Sequence, residues 1–347
     1  MSLTVSELSP ANAAEWDDYV ARHAEGSFFH RSGWADALRE AFGHRPFFLL
    51  VRRAGAIAGV LPLALQKSAL FGSSLIALPF CVYGGPISDD AEAEAALTEA
   101  AEAVMRKLNL SVMEWRTTSP FVGETPPGWQ QRDDLYVTFR KPITADDDAN
   151  LKAIPRKQRA VVRKGIDGVL TSELGQDTDL AHRIYAESVR NLGTPVVSRR
   201  YFAILKRQFG HEMDVLTVFE DGQPRTSVLN FYWKNEVLPY YGGGTDAARA
   251  CHANDFMYWE VMRHAAKRGC TSFDFGRSKV GTGAFSFKKN WGFAPTPLPY
   301  RYRLAEGASV PDHNPLNPKY RLFIAAWKKL PLPVANLLGP MIVRGLG

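Results

Sequence analysis

Cysteine is scarce: the 347 residues hold only Cys81, Cys251 and Cys270. No CxxC pair occurs, so neither a disulfide framework nor a zinc knuckle is indicated. His211, His252 and His264 lack both HExxH spacing and an i, i+4 pair, which leaves metal catalysis without a ligand set. No stretch approaches roughly 18 uninterrupted apolar residues, so no membrane span is expected. The opening MSLTVSELSPANAAEWDDYV has no basic region ahead of an apolar run, so no secretory signal is expected either. Together these absences fit a reducing cytoplasm. Phosphate-loop signatures are missing as well. No GxxxxGK[ST] occurs, GTGAFS lacks the third glycine of a dinucleotide fingerprint, and Val280 stands where GxSxG needs glycine. Hydride transfer and nucleotide hydrolysis therefore have little support.

What is present is an ordinary globular composition, 46% hydrophobic and 22% charged. The length suits two domains of ~150 residues. The net charge of +6 hides an asymmetry: residues 1–150 carry 13 Lys and Arg against 20 Asp and Glu, and residues 151–347 carry 29 against 16. A basic second half faces something anionic or is simply a soluble surface, and charge alone leaves both open.

The order of elements repeats. Phe47 to Leu65 reads as strand, Ala-Gly turn, strand; Ser74 to Phe80 adds a strand, and Tyr83-Gly84-Gly85-Pro86 a tight turn. An alanine-rich helix with an acidic start follows to about Leu108, then strands Val112 to Arg116 and Leu135 to Arg140. In the second half, Asp214 to Phe219, Thr226 to Trp233 and Glu236 to Tyr241 read as strands, ending in Gly242-Gly243-Gly244. A helix from an N-cap at Asn254 to Lys267 precedes the strand Ser272 to Phe275. Tyr83-Gly84-Gly85 matches Tyr241-Gly242-Gly243 at a shift of 158, and Val104-Met105-Arg106 matches Val261-Met262-Arg263 at 157. Duplication of one α/β unit with mixed sheets accounts for both.

Three stretches carry candidate chemistry. Lys152, Arg156, Lys157, Arg159, Arg163 and Lys164 fall within thirteen residues without an acid between them. On a helix beginning at Pro155, Arg156, Arg159 and Arg163 share one face, suited to a diphosphate or a nucleic-acid backbone; the alternative is a solvated helix side. In SFDFGRSKVGTGAFSFKKNWGF, residues 272–293, Gly276, Gly281 and Gly283 free the backbone for close approach to a ligand. There Lys288 sits among Phe287, Trp291 and Phe293, where a partly dry ammonium would stabilise an oxyanion. The competing reading is a lysine on a sheet-edge strand. At the C-terminal end, Tyr320, Leu322, Phe323, Ile324, Trp327 and Leu330 alternate with Lys319, Arg321, Lys328 and Lys329, the pattern of an interfacial basic helix or of a helix packed on its own domain.

FDFGRSKVGTGAFSFKKNWGF, IPRKQRAVVRKGI at 154–166, YYGGGTDAA at 240–248 and NPKYRLF together resemble the FemAB-like proteins associated with PEP-CTERM/exosortase systems. More widely they are similar to the Fem peptidyltransferases and the BioF2-like acyltransferases. The resemblance implies tandem acyl-CoA N-acyltransferase (GNAT) domains, expected at 1–145 and 146–305, with a Pro-rich linker and amphipathic tail at 306–347. It implies N-acyl transfer from an aminoacyl-tRNA or an acyl-CoA as co-substrate, with no bound cofactor and no metal. The acceptor is a phosphate-bearing cell-envelope or exopolysaccharide precursor, in the cytoplasm, with inner-membrane contact through residues 316–347. By the same resemblance Lys288 of Phe287-Lys288-Lys289-Asn290-Trp291-Gly292 is the catalytic residue. Tyr83, Tyr241, Asp246, Asp274, Arg277, Lys279, Thr282 and Trp291 are expected to line the substrate cleft, with Arg156, Arg159 and Arg163 holding phosphate. No coiled-coil arm and no Q/RxxGxG/A pyrophosphate loop is present, so the donor stays open.

Overall fold

A computed structural model describes residues 2–68, 72–121, 124–311 and 321–346. In chain order the strands are β1 (Leu3–Glu7), β2 (Arg45–Arg53), β3 (Ala56–Ser68), β4 (Gly72–Ile76), β5 (Ile87–Ser88), β6 (Val112–Trp115), β7 (Trp129–Arg132), β8 (Tyr136–Pro142) and β9 (Leu170–Gly175). They continue as β10 (Met213–Glu220), β11 (Gln223–Trp233), β12 (Glu236–Gly244), β13 (Ser272–Asp274), β14 (Ser278–Lys279), β15 (Pro295–Pro297) and β16 (Tyr300–Leu304). The helices are α1 (Ala13–Arg22), α2 (Gly33–Phe42), α3 (Ala91–Lys107), α4 (Asp147–Lys152), α5 (Arg156–Ile166), α6 (Thr178–Leu192), α7 (Arg199–Phe209), α8 (Ala253–Lys267), α9 (Gly283–Asn290), α10 (Arg321–Lys328) and α11 (Leu332–Val343).

Two mixed sheets repeat one order. The first runs β1-β2-β3-β4-β6-β16-β7, with β5 on β3; the second runs β9-β10-β11-β12-β13-β8-β14, with β15 on β8. Each sheet holds a parallel pair among antiparallel ones: β4 with β6, and β12 with β13. A parallel pair needs a crossover, and α3 and α8 supply it. The duplication read from Tyr83-Gly84-Gly85 and Tyr241-Gly242-Gly243 thus corresponds to two mixed α/β sheets of the same strand order.

The compact units are not contiguous in sequence. One comprises Met1–Tyr136, Leu298–His313 and Arg344–Gly347; the other comprises Val137–Pro297 and Asn314–Val343. Contiguous domains at 1–145 and 146–305 leave β8 in the first half and β16 in the second. The sheets place each strand with the opposite partner set, because β8 pairs with β13 and β16 with β6 and β7.

In the first unit α3 starts at Asp90, whose side chain accepts from the Ala93 N–H, and buries Ala93, Leu97, Ala101 and Met105. In the second, successive glycines of β12 reveal the layering. A methyl on Gly242 would lie 3.2 Å from Tyr258 Oη of α8, and one on Gly243 2.7 Å from Ser188 Cβ of α6. Successive strand residues point to opposite faces, so α8 and α6 sandwich the sheet. These glycines serve helix packing. The strand expected over Ser74 to Phe80 ends at Ile76, since Leu78 and Phe80 both take positive φ. The helix expected from an N-cap at Asn254 starts two residues earlier, after His252.

Candidate active site

The site grows from the place where β12 and β13 part. They pair only at Glu236 with Ser272 and Val237 with Phe273, after which β12 continues to Gly244 along β11 alone. A register shift between Leu229 and Asn230 bends β12 at this point. On the other side the chain leaves β13 at Asp274 and turns at Gly276, whose φ of +67° is in the left-handed region. Asp274 is fully buried and accepts from the Gly276 N–H (2.6 Å), Arg140 Nε (3.1 Å) and Thr138 Oγ1 (3.3 Å). Arg140 also pairs with Glu236 at 3.1 Å. Burial, followed by the Asp274 charge, pushes the Glu236 carboxyl up to about 7.

Lys288 comes to this turn from α9. The segment is a helix and not an edge strand, because Thr282 caps it, Oγ1 accepting from the Phe285 N–H at 3.4 Å. Lys288 Nζ donates to the carbonyls of Gly276 (3.0 Å) and Arg277 (3.1 Å) and lies 5.6 Å from the Phe139 ring centroid. Desolvation lowers its pKa to about 8; the Asp274 charge opposes that shift and the Arg277 charge adds to it. An ammonium has three N–H donors, so one remains beyond the two carbonyls. Nearby on the chain, the buried Ser278 hydroxyl has no hydrogen-bond partner. Buried orphans of this kind call for a ligand or water.

The basic helix α5 is tied to the same region. Gln158 of α5 and the indole N–H of Trp291 (3.2 Å) both donate to Asp255 Oδ1 on α8. A methyl on Gly165 would lie 2.8 Å from Phe256 Cβ, and one on Gly292 2.8 Å from the Pro155 ring, so close approach sets both contacts. With Gln158, Val162 and Gly165 turned inward, Arg156, Arg159 and Arg163 line an open depression of about 470 Å³ with Lys164 and Asp167. Among the described residues no side chain pairs with Lys152, Arg156, Lys157, Arg159, Arg163 or Lys164.

The expected site residues therefore divide. Lys288, Thr282, Arg277 and Lys279 gather at the turn after β13, with Asp274 beneath it. Trp291 is fully buried in the core, so its part is to anchor α9 and not to face a ligand. Tyr241 points to the α6 side, meeting Tyr185, Tyr201 and Phe202, with its hydroxyl 3.1 Å from that of Tyr201. Asp246 is exposed, accepting from Asn191 while its N–H donates to Glu187. Tyr83 is buried in the other unit against Phe29. Sequence reasoning passed over Glu236, Arg140 and Ser278. The first two meet only through β12–β13–β8 pairing, which no spacing reveals; Ser278 stood within the quoted motif.

Residues 150–289 match the family model described as an acetyltransferase (GNAT) domain. The chain has a tandem GNAT-like fold. It is similar to the crystal structure of FemX, with a TM-score of 0.66 at 14% identity over 92% of this chain and 100% of that one. It also resembles the C-terminal domain of a putative lysylphosphatidylglycerol synthetase from Agrobacterium fabrum, with a TM-score of 0.56 at 14% identity over 85% and 92%. A tandem GNAT protein from the clavulanic acid biosynthesis pathway gives 0.54 at 13% identity over 89% and 100%. At such identities the likeness is one of fold. No curated protein sequence matches.

Proposed function

We propose that the protein is an N-acyltransferase that moves an aminoacyl or acyl group onto an amine of a phosphate-bearing cell-envelope or exopolysaccharide precursor. The observation that carries this reading is the half-buried Lys288 ammonium, held by two carbonyls with one donor unspent, on a helix whose end at Trp291 and Gly292 meets the start of the arginine-bearing α5. The neutral amine attacks the acyl carbonyl carbon and a C–N bond forms. Lys288 balances the charge on the carbonyl oxygen. Collapse then breaks the C–O bond of an aminoacyl ester or the C–S bond of a thioester, and the amine's proton leaves with the departing oxygen or sulfur. Arg277, Lys279 and the α5 arginines hold phosphate. The setting is the cytoplasmic side of an exosortase-linked envelope system, as the sequence resemblance implies.

The fold it shares with FemX and the lysylphosphatidylglycerol synthetase domain favours an aminoacyl-tRNA as donor. A second reading keeps the chemistry and takes an acyl-CoA; it is favoured by the acetyltransferase description of residues 150–289. Thermal shift separates them, since a ligand at a hundred times its Kd adds about 2.7 kcal/mol of apparent stability. Response to neither would favour a non-catalytic adaptor. With the responding donor, Lys288→Met is expected to lower kcat by about 10²–10³-fold. Full turnover by a folded Lys288→Met protein would remove the assignment.

A further inference from the structure

The C-terminal helices answer the question their sequence leaves open by doing two things at once. Tyr320 and Lys319 of the basic aromatic stretch lie outside the described residues. Of the rest, Trp327 on α10 and Ala335, Gly339 and Val343 on α11 are buried. A methyl on Gly339 would lie 2.8 Å from the Val196 carbonyl oxygen, and one on Gly193 2.5 Å from Ile324, so both helices pack tightly on the segment that ends α6. The opposite faces are bare. Leu322 is 85% exposed, Leu337 and Met341 73% each, and Leu192, at the end of α6, 65%. Val334 and Leu338 share that exposed face of α11. Isolated exposed leucines are ordinary, but an apolar set drawn from three packed helices marks a contact surface.

We infer that this face is a docking surface for an anionic phospholipid membrane. Charge decides between a lipid and a second copy of the chain. Residues 321–346 contain no acid, and Arg321, Lys328 and Lys329 are exposed with no pairing partner among the described residues. Two copies meeting through this face would bring like charges together, whereas an anionic headgroup layer neutralises them. Among the described residues no helix is long and apolar enough to cross a membrane, so α10 and α11 lie along the interface. The surface stands apart from Lys288, so it holds whether or not the proposed transfer reaction does.

The test is flotation of the full chain with vesicles of phosphatidylcholine alone and with added phosphatidylglycerol. Binding is expected only with phosphatidylglycerol and is expected to weaken with salt. Leu337→Asp with Met341→Asp, both at exposed positions, is expected to cut binding by about tenfold or more while the melting temperature is kept. Failure of the wild type to float, or equal flotation of the double variant, overturns the proposal. So does a dimer in sedimentation velocity that the same double variant abolishes, since the face would then join copies of the chain.

Discussion

At Lys288 burial and function pull in opposite directions, and pH exposes the conflict. Its folded pKa of about 8 lies below the ordinary lysine value, so between about 8 and 10.5 the unfolded chain binds more protons than the folded one. Stability therefore rises with pH across that window, and the charged lysine costs stability below it. Two outcomes follow. Lys288→Met should melt no lower than the wild type at pH 7, although its turnover collapses. If the protonated form balances the oxyanion, kcat of the wild type should fall as pH rises through about 8, and Lys288→Arg should lose that limb while keeping part of the rate. A kcat that climbs through pH 8 to a plateau would assign the neutral amine instead. Lys288 was singled out by the resemblance of Phe287-Lys288-Lys289-Asn290-Trp291-Gly292; the aromatic residues that bracket it left a lysine on a sheet-edge strand equally open. Its partners were not legible, since the carbonyls of Gly276 and Arg277 are brought to it by a glycine turn and a capped helix.

At the scale of the element, α5 shows what periodicity reads well. Arg156, Arg159 and Arg163 were expected on one face and stand there, because Gln158, Val162 and Gly165 must turn towards α8. Replacing the three arginines by alanine should raise KM for the phosphate-bearing substrate roughly tenfold or more and flatten its salt dependence, with kcat nearly unchanged. An equal loss in kcat would mean that the helix acts on the reacting atoms. The glycine run of β12 shows what chain order does not reach. Gly242 and Gly243 marked a strand end and a repeat, and the neighbours that require them small are Tyr258 and Ser188. A glycine signals close approach, and sequence does not say of what.

For the whole molecule, the decisive feature is the exchange of β8 and β16 between sheets. A fragment of residues 1–145 lacks β16, whose Arg301 pairs with Glu94 and Arg303 with Glu102 at 2.9 Å each, and whose Tyr300, Tyr302 and Leu304 are buried. It should show no cooperative melt by circular dichroism, while the full chain does; a folded fragment would mean that the sheet closes without its sixth strand. The sequence by itself determined the mixed α/β class, the doubling of the unit and the basic face of α5, because these depend on local periodicity and on chain order. Only the tertiary structure decided which strand completes which sheet, that Trp291 and Tyr241 are buried, and that Glu236 and Asp274 share Arg140. Those facts rest on pairings between residues tens to hundreds of positions apart, for which spacing along the chain carries no signal.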